Sequence, residues 1–354
     1  MNQGVSYKIA LLHWNEKDGI STMMADELTG LGHHLIDFIY GAPIPADVDV
    51  VLSHGPHGEL LPLWRQVAQV PGADRPTVVH WNTEGFPDLR LPSALMWGIA
   101  AYRSRLARAK HARRSWLRKL ANGTSVIAYI DRRMRRFRYI GDYDVAFHRG
   151  WLQVLADSSQ IYRRIFAQRG IPTHYVPWGS TPSVYADMGL ERDIDVLWMG
   201  VRGTRRRSQL LDRIRKQLSA YGVEMYVADN VENPFIFDDT RTRFLNRAKI
   251  TLNITRTWYD DNFSRFAYAV PNRSLVVSEP LLSHCPEYEA GIHYVSAPID
   301  RLAESIVYYL NHDDERQRIV ENAYRLITTA LTFRGSMVRL IEAITHYRTR
   351  HVSP

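Results

Sequence analysis

The 354-residue sequence contains a single cysteine, Cys285. One cysteine cannot form an intramolecular disulfide or a cysteine-rich zinc motif, so the sequence predicts a protein of a reducing, cytoplasmic compartment. No stretch approaches the roughly 20 apolar residues that span a bilayer. The N-terminus has no long apolar core behind a basic start, so it does not read as a signal peptide. No His-x-x-x-His pair is present, and we predict no metal site.

Acidic residues are nearly missing from one segment. Between Arg103 and Arg138, thirteen arginines and lysines accompany one acid, Asp131, which gives this segment a charge of +12. Since the net charge is +8, the remainder of the chain carries −4. Three readings stay open: an anionic membrane surface, an anionic ligand or nucleic acid, or a solvated charged face. Because aromatic residues such as Trp97 and Trp116 are interleaved, we favour a membrane surface or an acidic molecule, with nucleic acid the less favoured partner.

Short apolar segments alternate with helical ones from the start of the chain. This pattern predicts an α/β protein with parallel sheets, and the length fits two Rossmann-like, doubly wound domains. We predict an N-terminal domain over residues 1–180 with a basic helical segment at 95–139, and a C-terminal domain over 190–335. A C-terminal helix and tail follow at 336–354. The best interdomain linker is Gly179–Asp193, and Tyr143–Phe147 is predicted to be a strand.

The stretch from Arg247 to Ala297 is the most informative part of the chain. Lys249–Ile254 is typical of a buried strand, and Ser274–Ser278 of a second one. Between them, Ser264 stands where a helix N-cap belongs, and Pro271 ends that helix. Strand, loop, helix and strand form one βαβ unit, which requires a parallel sheet.

The same residues carry a family resemblance. The pattern KITLNI…SRF…SLVVSE…AGIHYV resembles the C-terminal half of the spore-maturation-protein-like glycosyltransferases, which have the GT-B fold. The resemblance covers roughly Ile194–Val338 and implies two Rossmann-like domains facing a central cleft, with the acceptor on the first and the nucleotide-sugar donor on the second. Ala267 stands where the family has a glutamate that would face the donor ribose, and Asn272 where it usually has glycine.

Donor-binding residues are expected where strands of the second half end, because ligands of open parallel sheets bind there. After Ile194–Met199, a glycine lets the backbone approach a ligand, and arginines before a helix suit a pyrophosphate. After Lys249–Ile254, a second helix N-terminus suits the same group. The predicted donor-binding residues are Gly200, Arg202, Arg205, Arg206, Asn253, Thr255, Arg256, Ser264 and Arg265.

Titratable residues cluster at strand ends of the first half. An inverting transferase needs a base for the acceptor hydroxyl, and a histidine or carboxylate tuned near neutrality would serve, whereas a retaining enzyme leaves the proton to the phosphate. We predict Glu84, His57 and Asp18 as catalytic residues. For any single histidine, a hydrogen-bonded structural role is the alternative. The predicted acceptor-side residues are His13, His54 and His80.

The sequence therefore predicts a metal-independent glycosyltransferase that moves a sugar from a nucleotide-diphosphate donor to a glycan, lipid-linked or small-molecule acceptor. The nucleotide sugar is a co-substrate, and no cofactor is expected. We expect a cytoplasmic location, with residues 95–139 offering attachment to the inner membrane face. Two alternatives stay open: a nucleotide-sugar epimerase or hydrolase on the same fold, and a non-catalytic protein that binds nucleic acid or a membrane.

Overall fold

The computed structural model describes residues 5–15, 18–55, 60–83, 85, 87–88, 90–110, 135–257, 264–282 and 285–351. The chain divides into two compact units, residues 1–176 with 337–354 and residues 177–336. The C-terminal residues 337–354 thus belong to the first unit, whereas the sequence suggested a separate helix and tail at 336–354.

The first unit is built on parallel strands connected by helices. Buried and mostly apolar side chains fill its central strands, as a sheet covered on both faces requires. Its strands are β1 (Lys8–His13), β2 (His34–Ile39), β3 (Val50–His54), β4 (Thr77–Asn82), β5 (Val154–Asp157) and β6 (Thr173–Tyr175). Its helices are α1 (Gly19–Gly30), α2 (Leu60–Val67), α3 (Ser93–Lys110), α4 (Arg135–His148) and α5 (Arg163–Ala167), with a short 3₁₀ turn at Gly72–Asp74.

The sheet of the first unit has the order β2-β1-β3-β4-β5-β6, with every neighbouring pair parallel. The order reverses between β1 and β3, which is the switch point where such sheets bind ligands. The strand predicted over Tyr143–Phe147 is wrong, because these residues belong to α4. Tyr143 and Ala146 are buried there, so the apolar residues of this stretch face the core from a helix instead of a strand.

The second unit repeats the same plan with five strands. They are β7 (Ile194–Met199), β8 (Met225–Ala228), β9 (Ala248–Asn253), β10 (Leu275–Ser278) and β11 (Val295–Ser296). The helices are α6 (Arg205–Ala220), α7 (Asp238–Arg247), α8 (Ser264–Ala269), α9 (Leu302–Asn311), α10 (Asp313–Arg325) and α11 (Phe333–His351). Helix α11 begins in the second unit and continues in the first. Single turns occur at Pro182–Val184 and Val270–Asn272, and a π-helix at Leu326–Ala330.

The sheet of the second unit has the order β11-β10-β9-β7-β8, and its neighbouring strands are parallel. Its switch point lies between β7 and β9. The βαβ unit predicted around Ser264 is present as β9, α8 and β10. The left-handed residue before β10 is Arg273 with φ of +55°, one position after the asparagine that the sequence pattern singled out.

The segment predicted as a linker, Gly179–Asp193, packs against the second unit. The Ala186 amide donates to the side chain of Asn272 at 3.3 Å, and the Met188 amide to that of Asn246 at 3.1 Å. The segment is therefore an ordered part of the second unit. No helix in the described part of the chain is long and apolar enough to cross a membrane.

Candidate functional site

A pocket of about 230 Å³ opens beside the switch point of the second sheet. Residues at the carboxyl ends of β7 and β8 contribute to its wall, as the strand-end rule predicts. Four of the described lining residues are arginines, and none of the described ones is acidic. The pocket is lined by Met199, Gly200, Val201, Arg207, Ala228, Phe235, Ile236, Phe237, Arg241, Arg256, Arg265 and Tyr268. This charge pattern favours an anionic ligand.

Arg265 on α8 joins the ends of β7 and β9. Its Nε donates to the Met199 carbonyl at 3.0 Å, and one terminal nitrogen donates to Asn253 Oδ1 at 2.9 Å and to the Ile254 carbonyl at 3.4 Å. Its guanidinium carbon lies 5.4 Å from the ring centre of Trp198. These contacts fix a buried positive charge in the pocket wall. Asn253, which was predicted to bind the sugar donor, is fully buried, and its side-chain oxygen accepts a hydrogen bond from Arg265.

Gly200 is the residue at which the backbone comes closest to that arginine. Its φ of +129° is a conformation that residues with side chains rarely adopt. A Cβ at this position would lie 3.0 Å from a terminal nitrogen of Arg265. The Gly200 amide donates to the Ala228 carbonyl at 3.0 Å, which ties the loop to β8. A glycine is therefore required both by backbone conformation and by space.

The arginines that were predicted to bind the donor before α6 differ in their positions and partners. Arg202 forms ion pairs with Asp212, Asp229 and Glu232, and it is not part of the pocket wall. Although burial alone would raise the pKa of Asp229, hydrogen bonds from Arg202 and from the amides of Glu232 and Val231 lower it. Arg202 therefore fixes the loop after β8 rather than lining the pocket.

Arg206 is tied to a buried carboxylate, Glu279, which directly follows β10. The two side chains form a bidentate ion pair, and the amide and hydroxyl of Thr255 both donate to Glu279 at 2.8 Å. Arg206 and Thr255 thus hold the loop after β9, where Arg256 enters the pocket wall. Arg205 is exposed at the start of α6. Ser264 is the first residue of α8, and its side chain lies outside the described part.

Several residues of the site escaped the sequence analysis. Glu279 follows a predicted strand, so the strand-end rule would have found it. Arg207 lies in the first turn of α6, next to the three arginines that were named, and its side chain donates to the Val201 carbonyl at 3.0 Å. Arg241 and Tyr268 lie inside helices α7 and α8, and no sequence signal marks them.

The position assigned to the family glutamate does not face the pocket. Ala267 is buried, and its carbonyl accepts a hydrogen bond from Ser180 Oγ at 2.8 Å. The next residue on α8, Tyr268, lines the pocket instead. The sequence also offers Asp260 and Asp261, in the loop before α8, as replacements for that glutamate, and both lie outside the described residues.

A second polar cluster occupies the switch point of the first sheet. Asp18 caps α1 after β1, and His54 ends β3. Nε2 of His54 lies 2.8 Å from Ser21 Oγ and 3.3 Å from Asp18 Oδ2. Burial alone would raise the pKa of Asp18, but the hydrogen bond and charge of His54 and the amides of Trp14 and Ser21 hold it well below its usual range. The cluster is therefore a buried carboxylate–imidazole pair.

The other predicted residues of the first unit are more scattered. His13 lies 2.9 Å from Asp37 of the neighbouring strand. His80 is fully buried, with Ser53 Oγ and Tyr143 Oη each at 3.0 Å from one of its ring nitrogens. His80 is thus held by hydrogen bonds within the first unit, as the structural alternative describes, and its acceptor-side role stays a prediction. His57 and Glu84 lie outside the described residues.

The distribution of carboxylates bears on a metal site. Within the described ranges, no group of three or more His, Cys, Asp or Glu side chains could hold a metal ion. Asp-x-Asp triplets do occur at residues 47–49, 142–144 and 193–195, and the sequence argument overlooked them. The first and third lie at the amino-terminal ends of β3 and β7, and the second lies within α4. None follows the carboxyl end of a strand.

Known proteins share both the domain type and the fold. Residues 205–342, less than half of the chain, match the family model described as "Glycosyl transferase-like". None of the curated proteins compared matches the chain. Sucrose-phosphate synthase from Thermosynechococcus elongatus superimposes with a TM-score of 0.58 at 9% identity, over 97% of this chain and 99% of the other.

Two further solved structures also superimpose on nearly the whole chain. HepE from Anabaena, in complex with UDP and glucose, gives a TM-score of 0.55 at 10% identity, over 97% of this chain and 100% of the other. A glycosyltransferase from Rickettsia africae gives 0.53 at 10% identity, over 98% and 100%. At such identities the likeness establishes the fold, and the prediction of GT-B is confirmed. The chain thus has the GT-B fold, and its second unit carries a glycosyl transferase-like domain, as expected for a glycosyltransferase.

Proposed function

We propose that this protein transfers a sugar from a uridine-diphosphate donor to an acceptor hydroxyl, without a metal ion or other cofactor. The observation that carries the proposal is the pocket at the β7/β9 switch point, where the residues that the structure describes place four arginines in the wall. Uridine is chosen because the similar HepE was crystallised with UDP and with UDP-glucose. The sequence pattern supports a relationship to the spore-maturation-protein-like glycosyltransferases.

The chemistry follows from the charge of the pocket. In the transfer, the bond between the anomeric carbon and the donor phosphate oxygen breaks, and the acceptor oxygen bonds to that carbon. The diphosphate leaves with an additional negative charge. Arg207, Arg256 and Arg265 stabilise this charge by preorganised positive groups, the role that a metal ion has in other transferases. Arg202, Arg205, Arg206, Asn253, Thr255 and Ser264 are proposed to shape the same site around them.

The group that takes the proton from the acceptor hydroxyl must be assigned separately. Of the predicted catalytic residues, Glu84 and His57 lie outside the described part, and Asp18 lies within it. The low pKa of Asp18 makes it a weak base, so its proposed role is to orient the imidazole of His54 through the 3.3 Å contact with Nε2. In a retaining transferase the leaving phosphate takes the proton, and the Asp18–His54 pair then serves to shape the acceptor side.

The basic segment supports a second element of the proposal, attachment to an anionic membrane at the cytoplasmic face. Leu95 and Tyr102 lie seven residues apart on α3 and are 51% and 61% exposed, beside the exposed Arg105. Apolar and cationic side chains on one helix face suit a headgroup layer. Sedimentation with vesicles containing 30% phosphatidylserine should exceed that with neutral vesicles. Equal sedimentation would remove the membrane from the proposal, and binding to RNA instead would favour the nucleic-acid alternative.

A thermal-shift series tests the donor assignment directly. UDP and its sugars should raise the melting temperature of the full chain, because a ligand that binds only the folded state stabilises it by mass action. ADP, GDP, dTDP and CMP should raise it less, and EDTA should leave the UDP shift unchanged. Incubation with UDP-glucose alone distinguishes the alternatives, since an epimerase or hydrolase would convert the donor without an acceptor. No shift with any nucleotide would refute the proposed function.

A further inference from the structure

The residues that line the arginine-lined pocket form two sets, which differ in the contacts they make. In the first set, Gly200 lies against Arg265, and Val201 accepts from Arg207. These groups are fixed at strand ends and suit the diphosphate. In the second set, the aromatic residues Phe235 and Phe237 follow β8, with ring centres 5.9 Å apart. Arg241 and Tyr268 complete the second set, whose chemistry is planar and largely apolar.

Arg241 is held flat on Tyr268. Its guanidinium carbon lies 3.9 Å from the ring centre of the tyrosine. Stacking fixes the plane of the guanidinium, so its N–H donors point outward from the edge of the stack. Its backbone amide donates to the Phe237 carbonyl at 3.0 Å, so the stack is anchored next to the aromatic residues. The pair therefore presents fixed donors beside apolar rings.

Arg241 differs from the other arginines around the pocket in its partners. Arg202 and Arg206 are neutralised by carboxylates, and Arg265 donates to three oxygens. Arg241 forms no ion pair or side-chain hydrogen bond with the residues that the structure describes. Its Nε is buried, which leaves the terminal nitrogens as the donors that a bound molecule can reach. These accessible nitrogens can donate to an acceptor on a bound molecule without breaking a hydrogen bond to the described residues.

We propose that Arg241, stacked on Tyr268, selects the donor nucleobase by donating to a ring carbonyl oxygen, while Phe235 and Phe237 contact the ring. The inference rests on the proposed function and assigns a specificity-determining residue to that site. A nucleobase combines a flat apolar face with acceptors in its plane, which is the complement of this second set. A phosphate has no apolar face, and the first set already provides for it.

The assignment predicts which bases bind. A guanidinium only donates, so it favours a base that offers carbonyl oxygens. Uracil offers two carbonyls, whereas adenine offers none and presents an amino group. A site built around a polar contact discriminates strongly against an analogue that lacks it. UDP should therefore bind more tightly than ADP, and the difference should depend on Arg241.

Calorimetric titration of the full chain with UDP, ADP and inorganic pyrophosphate tests this role. In Arg241→Met, UDP affinity should fall about 10-fold or more, the loss expected for a charge-assisted hydrogen bond. Pyrophosphate affinity should change less than about 3-fold, and the preference for UDP over ADP should shrink. Arg243→Met is the matched control, because Arg243 lies on the same helix, is exposed and carries the same charge. It should change none of the three affinities.

Arg241→Lys separates charge from planar geometry. Lysine keeps the positive charge but loses the flat fork, so UDP affinity should fall nearly as far as in Arg241→Met. If pyrophosphate weakens as much as UDP in either variant, Arg241 contacts phosphate, and the base assignment is wrong while the proposed function stands. Unchanged UDP affinity in both variants also overturns it. If the unmodified protein binds no nucleotide, the proposed function fails together with the inference.

Discussion

The two units share a topology and differ in the chemistry at their switch points. Both are parallel sheets in which the strand order reverses once, between β1 and β3 in the first unit and between β7 and β9 in the second. The first switch point holds the buried Asp18–His54 pair, and the second holds a pocket with four arginines among its described lining residues. The fold provides a location in each unit, and a few strand-end residues decide its charge.

The way the charges are compensated differs as well. Asp18 and His54 are partners of one another, with 3.3 Å between Oδ2 and Nε2, so the first cluster is complete without a ligand. In the second unit, Arg202 and Arg206 are compensated by carboxylates that lie outside the pocket wall, whereas the charged residues among the described part of the wall are all arginines. We therefore expect the first cluster, whose groups already have partners, to orient neighbouring residues. We expect the second site, which has excess positive charge, to bind an anionic ligand. The predictions below test this division of roles, beginning with the largest effect.

Replacing Arg265 by methionine should have the largest effect on binding. The change removes a charge from the pocket and leaves acceptors at the ends of β7 and β9 without their donor. UDP affinity should fall about 100-fold, and the free energy of unfolding should fall by about 3 kcal/mol. Calorimetric titration and urea unfolding measure the two quantities.

Arg273→Met is the matched control for this variant. Arg273 belongs to the same unit, pairs with Glu321 and stacks on Tyr324, and it does not line the pocket. Its loss should reduce stability by about 1 kcal/mol or less and leave UDP binding unchanged. A folded Arg265→Met protein with unaltered UDP affinity would contradict the role given to the arginine pocket.

Gly200→Ala should have an intermediate effect. The added methyl group requires a strained φ and pushes against Arg265, at a cost of about 2 kcal/mol in the free energy of unfolding. UDP affinity should fall about 10-fold, because the pocket arginine is displaced. Urea unfolding and UDP titration of the same preparation check both values.

A Gly291→Ala variant separates the effect of the strained φ from the effect of the contact with Arg265. Gly291 also has a positive φ, of +82°, but no atom lies within 4 Å of its added Cβ. It should share the backbone cost and leave UDP binding intact. If both variants bind UDP equally well, the contact between residue 200 and Arg265 has no part in the site.

Apolar periodicity was sufficient to predict most of the fold. The central strands of both sheets consist of buried, mostly apolar runs, and parallel pairing follows from their alternation with helices. The failure at Tyr143–Phe147 has a physical cause, since a half-buried helix face and a short strand look alike over five residues. The boundary of the units was displaced because residues 337–354 contact the first unit, and local sequence does not report such long-range contacts.

The site was predictable only where chemistry follows a strand end. Gly200, Arg256 and Arg265 were named from that rule, and they line the pocket. Arg241 and Tyr268 were missed because their importance arises from a contact between two helices, α7 and α8. Arg202 and Arg206 were named correctly as strand-end residues, but their carboxylate partners come from other elements of the sheet.

Asp18→Asn should have the smallest effect on donor binding and a clear effect on the first unit. Asparagine still caps α1, so the variant removes mainly the charge beside His54. Because the folded pKa of Asp18 lies below its ordinary value of 3.8, the ionised carboxylate stabilises the fold above that pH, and the contribution disappears as the pH falls further. At pH 7 the variant should lose about 1–2 kcal/mol in the free energy of unfolding.

Two independent measurements test this prediction: the pH dependence of stability, and the comparison of UDP affinity with the rate of transfer. Urea unfolding at pH 7 and again below pH 4 should show the difference between the two proteins shrinking in acid. UDP affinity at pH 7 should be the same for both, because Asp18 belongs to the first unit and the pocket to the second. Transfer to the acceptor should nevertheless slow, since His54 loses the carboxylate that orients it. Weaker UDP binding with an unchanged transfer rate would reverse the roles assigned to the two switch points.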